Sequence, residues 1–238
     1  MIRISDLTKK FDNVEVLNIP QLQVEKGELI GIVGNNGAGK TTLLRLCLDL
    51  LFADSGTVSI DNENVAQGEN WKKITGSYLS EKFLIDFLKP AEYFNFIGEI
   101  YGLTKQEIVE KVSIFEEFMT EEILKHPKKY IEKFSMGNKQ KIGIVGAMLM
   151  RPRLLILDEP FNFLDPSSQI EMKYLLQKYN AEFGTTILLS SHNIQYIADI
   201  CSRIIILEKG KVIRDEQNTT PEIKAELENY FEKASRKG

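Results

Sequence analysis

The fold follows from one stretch of the sequence, Gly34-Asn35-Asn36-Gly37-Ala38-Gly39-Lys40-Thr41-Thr42. It has the form G-x-x-x-x-G-K-T. The apolar run before it at 29–33 predicts a strand leading in, and residues 43–48 after it predict a helix leading out. The three glycines let successive backbone N–H groups turn inward, and the helix N-terminus adds positive charge. The stretch therefore predicts a phosphate-binding loop, in which Lys40 reaches the outer phosphates and the Thr41 hydroxyl ligates Mg²⁺.

A pair of carboxylates follows a second apolar run. Residues 154–157 are all apolar, and Asp158 and Glu159 come directly after them. Such a run predicts a central strand of a parallel sheet, and ligands of these sheets bind beyond the carboxyl ends of the strands. Asp158 suits a water-mediated magnesium ligand, and Glu159 suits a general base that holds a water in line with the terminal phosphate. The alternative is that both acids are solvated turn residues.

His192 lies at a similar place, after the strand predicted for residues 185–190. A lone histidine in such a loop can be purely structural. Its position on the same rim as the phosphate loop favours a second interpretation, in which the imidazole contacts the terminal phosphate and helps to position the attacking water. We therefore include His192 among the catalytic candidates.

A helix predicted to begin at Ser135 has unusual charges. Lys139 and Lys141 fall in its first turns, where cations oppose the helix dipole. A helix N-terminus with a hydroxyl, a glycine and lysines makes sense when an anion is brought to it. Because Lys40 already serves the phosphate loop of the same chain, that anion can belong to a second subunit.

Composition excludes several classes of protein. The chain has 238 residues and a net charge of −4, which argues against bulk electrostatic binding of nucleic acid. Cys47 and Cys201 have no second thiol or histidine at metal-ligand spacing, so they are predicted to be small core residues in a reducing compartment. The N-terminus has no signal region, and no apolar run is long enough to span a bilayer. We therefore expect a cytoplasmic protein.

The order of predicted elements indicates one α/β domain over residues 1–238. Short strands are predicted at 2–7, 14–19 and 21–24, and a final helix at about 220–235. Between these ends, residues of about 83–134 show helical periodicity, which predicts an inserted helical subdomain.

The first helix of this subdomain, opened by Pro90, carries many aromatic residues. Its buried face is predicted to be the stripe Tyr93, Phe96, Ile97, Ile100 and Tyr101. Phe83, Phe87 and Phe94 fall off this stripe, so they are predicted to be exposed and to dock a partner. The alternative is that all three fill the core of the subdomain.

Taken in order, these motifs resemble the nucleotide-binding domain of ABC (ATP-binding cassette) transporters over essentially the whole chain. Residues 34–42 are similar to the Walker A motif, 154–159 to Walker B, 135–140 to the signature sequence and 162–165 to the D-loop. His192 resembles the switch histidine. Phe11 resembles the aromatic residue that stacks on adenine, although it could also pack in a sheet. The resemblance implies a P-loop core with a mainly parallel sheet, an N-terminal antiparallel β subdomain and the inserted helical subdomain.

The resemblance also implies ATP as the nucleotide, Mg²⁺ as the metal ion and ATP hydrolysis as the activity. In this family two domains form a head-to-tail sandwich, so Ser135, Gly137 and Asn138 are expected to contact ATP held by the other subunit, a copy of this chain or a paralogue. Glu81 stands where the family has a glutamine that touches Mg²⁺. It is expected to join Thr41 and Asp158 as a metal ligand.

Departures from the family pattern narrow the expected function. Met136 replaces the first glycine of the signature, Asn138 replaces its glutamine, and Phe161 and Phe163 replace smaller residues around the D-loop. The altered signature and Glu81 resemble the bacterial subset that exports peptides, drugs or ions through separately encoded membrane subunits.

The leading hypothesis is an ATPase subunit that powers such a permease and lies on the inner face of the cell membrane through it. One alternative is a soluble ABC-type ATPase acting on nucleic acid or ribosomes, whose two cassettes or long coiled-coil insertion are not seen in this sequence. Another is an ATP-dependent dimerising regulator with little turnover. The altered signature keeps that alternative open, whereas intact Lys40, Asp158, Glu159 and His192 argue against it.

Overall fold

The computed structural model describes residues 1–126, 128–218, 225 and 229. The strands are β1 Ile2–Phe11, β2 Val14–Val24, β3 Leu29–Val33, β4 Ser55–Ile60, β5 Glu63–Asn64, β6 Thr75–Tyr78, β7 Leu154–Leu157, β8 Thr186–Ser191, β9 Arg203–Glu208 and β10 Lys211–Gln217. The α-helices are α1 Lys40–Cys47, α2 Asn70–Lys73, α3 Pro90–Ile100, α4 Lys105–Ser113, α5 Glu121–Lys125, α6 Met136–Met148, α7 Pro166–Phe183 and α8 Ile194–Ala198. The helix predicted for residues 220–235 lies outside the described residues, apart from positions 225 and 229.

A six-stranded sheet in the order β10-β9-β3-β8-β7-β6 forms the centre of the molecule. Its strands pair in parallel except for β10, which runs antiparallel to β9. A separate antiparallel sheet has the order β2-β1-β4-β5. The predicted α/β class, with a mainly parallel sheet and an N-terminal antiparallel β subdomain, is confirmed.

Strand residues of the central sheet alternate between two hydrophobic cores. In β7, Leu155 and Leu157 join the core under α6, α7, α8 and the segment of α3 to α5. Leu154 and Ile156 join the core under α1 and the antiparallel sheet. Because successive side chains of a strand point to opposite faces, Asp158, two residues beyond Ile156, emerges on the side of α1.

The N-terminal strands are longer than predicted. The predicted strands 14–19 and 21–24 are one strand, β2, which continues through Pro20. Proline lacks an N–H, but β2 is an edge strand, where the missing donor is tolerated. Opposite Pro20 the pairing skips Asp6, which has a positive φ of 49°. The pairing is interrupted at this position, but β2 continues through Pro20.

Helices α3, α4 and α5 lie in the chain between β6 and α6. The first of them begins at Pro90, as predicted. A capping box starts α4, because the Thr104 hydroxyl accepts from the Glu107 N–H while the Glu107 carboxylate accepts from the Thr104 N–H.

The predicted buried face of α3 is right only in part, because Tyr93 and Ile97 pack against the core as predicted, whereas the rest of the stripe does not. Phe96, Ile100 and Tyr101 are exposed, whereas Phe94 is buried. The buried side of α3 also includes Gly98, where a Cβ would lie 2.4 Å from Ile108 of α4. This side of α3 is buried because α4 packs closely against it. Phe83 and Phe87 are exposed, so the predicted exposure holds for these two and fails for Phe94.

Both cysteines lie in the core, as predicted. Cys47 and Cys201 are free and buried, and burial raises the pKa of Cys47 to about 12, as fits a core residue with an unreactive thiol. Among helices in the described part of the chain, none is long and apolar enough to cross a membrane.

Candidate functional site

The phosphate loop joins β3 to α1 and leaves the helix without a side-chain cap. Its N-cap residue is Gly39, which has a φ of 104° and supplies no side chain to bond the first-turn N–H groups. The loop is held in place by a hydrogen bond from the Gly210 N–H to the Ala38 carbonyl oxygen, at 2.9 Å. The N–H groups at the start of α1 are therefore left for an anion.

The acids at the end of β7 are joined to α1 and β8. One carboxylate oxygen of Asp158 accepts from the Thr41 hydroxyl at 2.6 Å, and the other accepts from the Ser190 hydroxyl. Glu159 has a positive φ of 48°, a conformation that costs on the order of 1–3 kcal/mol in a non-glycine residue. This turn takes the Glu159 side chain out of the strand alternation and brings it to Lys40 and His192.

The Glu159 carboxylate lies between Lys40 and His192. Its Oε1 lies 3.2 Å from Lys40 Nζ, and its Oε2 lies 2.9 Å from His192 Nδ1. Lys40 is buried and also donates to the Gly34 carbonyl oxygen at 2.6 Å. The structure thus brings Lys40, Glu159 and His192 together from three different connections of the sheet.

The donor set at Thr41 and Asp158 fits a magnesium ion that arrives with a phosphate. Within the described residues, no group of three or more His, Cys, Asp or Glu side chains could hold a metal ion alone. Mg²⁺ is usually bound through one or two protein oxygens together with phosphates and water. Glu81, the third predicted ligand, opens a short turn after β6 and forms no hydrogen bond or ion pair with either residue in the described structure.

The N-terminus of α6 differs from that of α1. Ser135 is its N-cap, and the Ser135 hydroxyl accepts from the Asn138 N–H at 3.3 Å. A Cβ on Gly137 would lie 2.6 Å from the Phe163 carbonyl oxygen, so the close passage of the 162–165 segment requires glycine here. Ser135 is exposed and remains accessible from outside the chain.

Two side chains of α6 do not lie where the sequence predicted. Asn138, a predicted nucleotide contact, is buried, and its amide donates to Glu122 at 2.6 Å and accepts from the Thr120 hydroxyl at 3.0 Å. Lys141 is also buried, with its ammonium 3.3 Å from a Glu171 oxygen. The sequence predicted Asn138 at the nucleotide and Lys141 at an incoming anion. In the structure both side chains instead bond groups of their own chain.

Phe11 lies at the end of β1, paired with Val14 across the turn to β2. The same hairpin passes the phosphate loop, because a Cβ on Gly39 would lie 3.1 Å from the Val16 carbonyl oxygen. The ring of Phe11 is exposed, so it does not serve as a core residue of the sheet.

Sequence reasoning missed two residues, Gln140 and Ser190. The amide of Gln140 donates to the Pro160 carbonyl oxygen and so ties α6 to the segment after Glu159. Ser190 bonds both Asp158 and Glu159. Neither residue carried a signal in the sequence, because α6 and β8 both contain other polar residues.

Comparisons with known proteins agree with this geometry. A family model described as "ABC transporter" matches residues 17–162, more than half of the chain. The chain belongs to this family. The bacitracin transport ATP-binding protein BcrA of Enterococcus faecalis is 33% identical over 217 residues, which cover 90% of this chain and 68% of that protein. The methionine import ATP-binding protein MetN 1 of Bacillus thuringiensis is 33% identical over 224 residues, which cover 90% of this chain and 66% of that protein.

Solved structures give the same result for the fold. An ATP-binding subunit of an ABC transporter has a TM-score of 0.83 at 28% identity, over 95% of this chain and 93% of that one. A dimeric bacterial ABC transporter cassette has a TM-score of 0.81 at 25% identity, over 92% of this chain and 100% of that one. The chain is therefore an ABC ATP-binding subunit, and its activity is ATP hydrolysis.

Proposed function

We propose that this chain hydrolyses ATP to power transport by a separately encoded membrane permease, in the export direction. The observation that carries the proposal is the position of the Glu159 carboxylate between Lys40 and His192 at the edge of the phosphate loop. Export is inferred from Glu81 and the altered signature. The bacitracin transport relative supports a role in transport without giving a direction, and the methionine import relative points to the opposite direction.

The binding step uses Lys40 and the backbone of residues 34–42. Lys40 now pairs with Glu159 Oε1. When ATP occupies the loop, its terminal phosphates compete for the ammonium, and Oε1 is released to accept a hydrogen bond from water. Bound Mg²⁺, held by Thr41 and Asp158, would neutralise charge on the phosphates.

The chemical step follows from the released carboxylate oxygen. Glu159 takes a proton from water as the water oxygen bonds to the terminal phosphorus and the bond to the ADP oxygen breaks. His192 holds Oε2 through its backbone N–H at 3.2 Å and its ring nitrogen at 2.9 Å, which fixes the direction of the base. The protein thus contributes positioning and charge stabilisation.

The complete site is proposed to need two subunits, either two copies of this chain or this chain and a paralogue. Ser135 and Gly137 would lie against ATP held by the other subunit, and Phe11 would stack on adenine in its own. The dimeric cassette with the same fold supports this arrangement. Residues 1–238 would act as one ATPase domain with an inserted helical subdomain.

The permease is proposed to dock beside Phe83 and Phe87, which are 56% and 69% exposed. Both follow Glu81, which links this surface to the end of β6. Exposed aromatic residues that cluster on a surface favour a partner site. Docking there would hold the chain at the inner face of the membrane. We assign it no nucleic-acid partner.

A sedimentation experiment tests the shared site. In a Glu159→Gln background, ATP is expected to convert monomer to dimer, and adding Ser135→Arg is expected to prevent this. Ser113→Arg, an exposed serine at the end of α4, is the matched control and should leave the dimer intact. A dimer that forms without ATP, or that tolerates Ser135→Arg, contradicts the shared site. Identification of the membrane proteins that co-purify with the native chain then tests the permease.

A further inference from the structure

Ser190 is a polar side chain to which the proposed reaction gives no role. It is fully buried in β8, the strand between β3 and β7. A buried hydroxyl needs hydrogen-bond partners, and those of Ser190 both belong to the acids at the end of β7.

The direction of both hydrogen bonds is fixed by chemistry. The Glu159 backbone N–H can only donate, so it uses a lone pair of Ser190 Oγ, at 2.9 Å. The hydroxyl proton is then available to Asp158 Oδ1, while Thr41 bonds Oδ2. Ser190 therefore decides which Asp158 oxygen faces α1, and it also holds the main chain of Glu159 in its left-handed conformation.

We propose that Ser190 is a positioning residue that aligns the metal-binding acid and the general base with one hydroxyl group. This inference rests on the proposed function, because it assumes that Asp158 serves Mg²⁺ and Glu159 activates water. Without the hydroxyl, the Asp158 carboxylate can rotate and the Glu159 backbone can relax. Magnesium binding and turnover should then weaken together, because the Ser190 hydroxyl bonds both acids.

The neighbouring Ser191 offers a matched control. It is also buried in β8, but strand alternation sends its side chain to the opposite face. Its hydroxyl accepts from the Asn193 N–H at 2.9 Å, at the start of α8. A serine of equal burial thus lies one residue away and bonds neither acid.

The experiment compares Ser190→Ala, Ser190→Cys, Ser190→Thr and Ser191→Ala with the unmodified protein. Four quantities are measured: kcat for ATP, KM for ATP, the Mg²⁺ concentration for half-maximal turnover, and the Mg²⁺ concentration needed for ATP to raise the Tm. Loss of a residue that orients a metal ligand typically changes metal affinity or activity by about 10- to 100-fold. We expect Ala and Cys to raise both Mg²⁺ midpoints by about that factor and to lower kcat with little change in KM. Ser190→Thr should retain the Mg²⁺ midpoints and the kcat of the unmodified protein. Ser191→Ala should match the unmodified protein in the same quantities.

Several results would overturn the inference. One is a folded Ser190→Ala or Ser190→Cys protein with unchanged Mg²⁺ midpoints, and another is an equal loss in Ser191→Ala, which would indicate packing alone. Should alanine prevent folding, the nearly isosteric cysteine variant decides. If the unmodified protein does not turn over ATP, the proposed function fails, yet the Mg²⁺ dependence of the ATP-induced Tm rise still tests Ser190.

Discussion

The carboxyl edge of the central sheet and the helical segment 90–133 are built in opposite ways. At the edge, Lys40, Asp158 and Ser190 are polar and buried, and each is bonded to another group. In the helical segment, apolar side chains remain outside, with Ile100 65% and Val109 66% exposed. Across the described residues, no buried side-chain nitrogen or oxygen lacks a hydrogen-bond partner.

Because of this difference, substitutions in the two regions should have different effects. A substitution at the sheet edge removes one bond from a connected polar group, so it should alter chemistry more than folding. A substitution in the helical segment acts through the apolar core that the segment shares with α6 and α7, so its effect depends on the side of the helix on which it lies. Exposed apolar residues of the segment are available to a partner.

The largest expected effect comes from pairing Phe94→Ser with Phe87→Ser. Phe94 is 3% exposed, and truncating a buried phenylalanine typically costs about 3–5 kcal/mol. Phe87 is 69% exposed, so its replacement should change the free energy of unfolding by less than about 0.5 kcal/mol. Urea denaturation measures both. Equal losses would contradict the assigned faces, and a loss of permease co-purification in stable Phe87→Ser would support docking there.

A smaller effect is expected from Lys40→Ala at the sheet edge. A hydrogen bond to a charged group contributes about 1.5–3 kcal/mol, so ATP affinity should fall about 10- to 100-fold. The fold should persist, because Lys40 bonds carbonyl oxygens and Glu159 rather than the core. Titration with a fluorescent ATP analogue gives the affinity. Lys72→Ala, an exposed lysine on α2, serves as the control and should bind like the unmodified protein.

The smallest expected effect is at Asp165, the N-cap of α7. Hydrogen bonds from the Ser167 hydroxyl, and then from the Ser168 N–H and hydroxyl, hold the pKa of Asp165 well below its usual range. Asp165→Ala should cost about 1 kcal/mol at pH 7. A lowered pKa stabilises the fold above the unfolded value of about 4, so this difference should shrink as the pH falls below it.

Thermal unfolding of Asp165→Ala and Asp165→Asn from pH 7 to pH 3 measures the effect. Asparagine retains an oxygen acceptor, so its loss should be smaller and should not follow the titration of a carboxylate. A difference that grows on acidification would contradict the assigned cap.

The sheet edge was predictable because the common direction of parallel strands restricts it. The carboxyl ends of parallel strands meet at one edge, so Lys40, Asp158, Glu159 and His192 could be placed near one another from apolar runs alone. Ser190 was not recognised, because a serine at a strand end carries no chemical signal until the neighbouring strand is known. Asn138 bonds Glu122, and Lys141 bonds Glu171. Both of these partners are distant in sequence.

The helical segment was less predictable for a different reason. In α3 both Phe94 and Phe96 are apolar, so periodicity offers two candidate faces. Packing of α4 against Gly98 decides between them, and that contact is tertiary. Pro20 is a similar case, since only the edge position of β2 explains why the strand continues through it.

The most direct test of Glu159 as the general base is to measure ATP affinity and turnover in Glu159→Gln. Glutamine keeps the size and the hydrogen-bonding capacity of the side chain but removes the base. We expect ATP affinity to stay within a few-fold of the unmodified protein while kcat falls by about 100-fold or more. Turnover close to that of the unmodified protein, in a folded variant that still binds ATP, would contradict the assignment of Glu159.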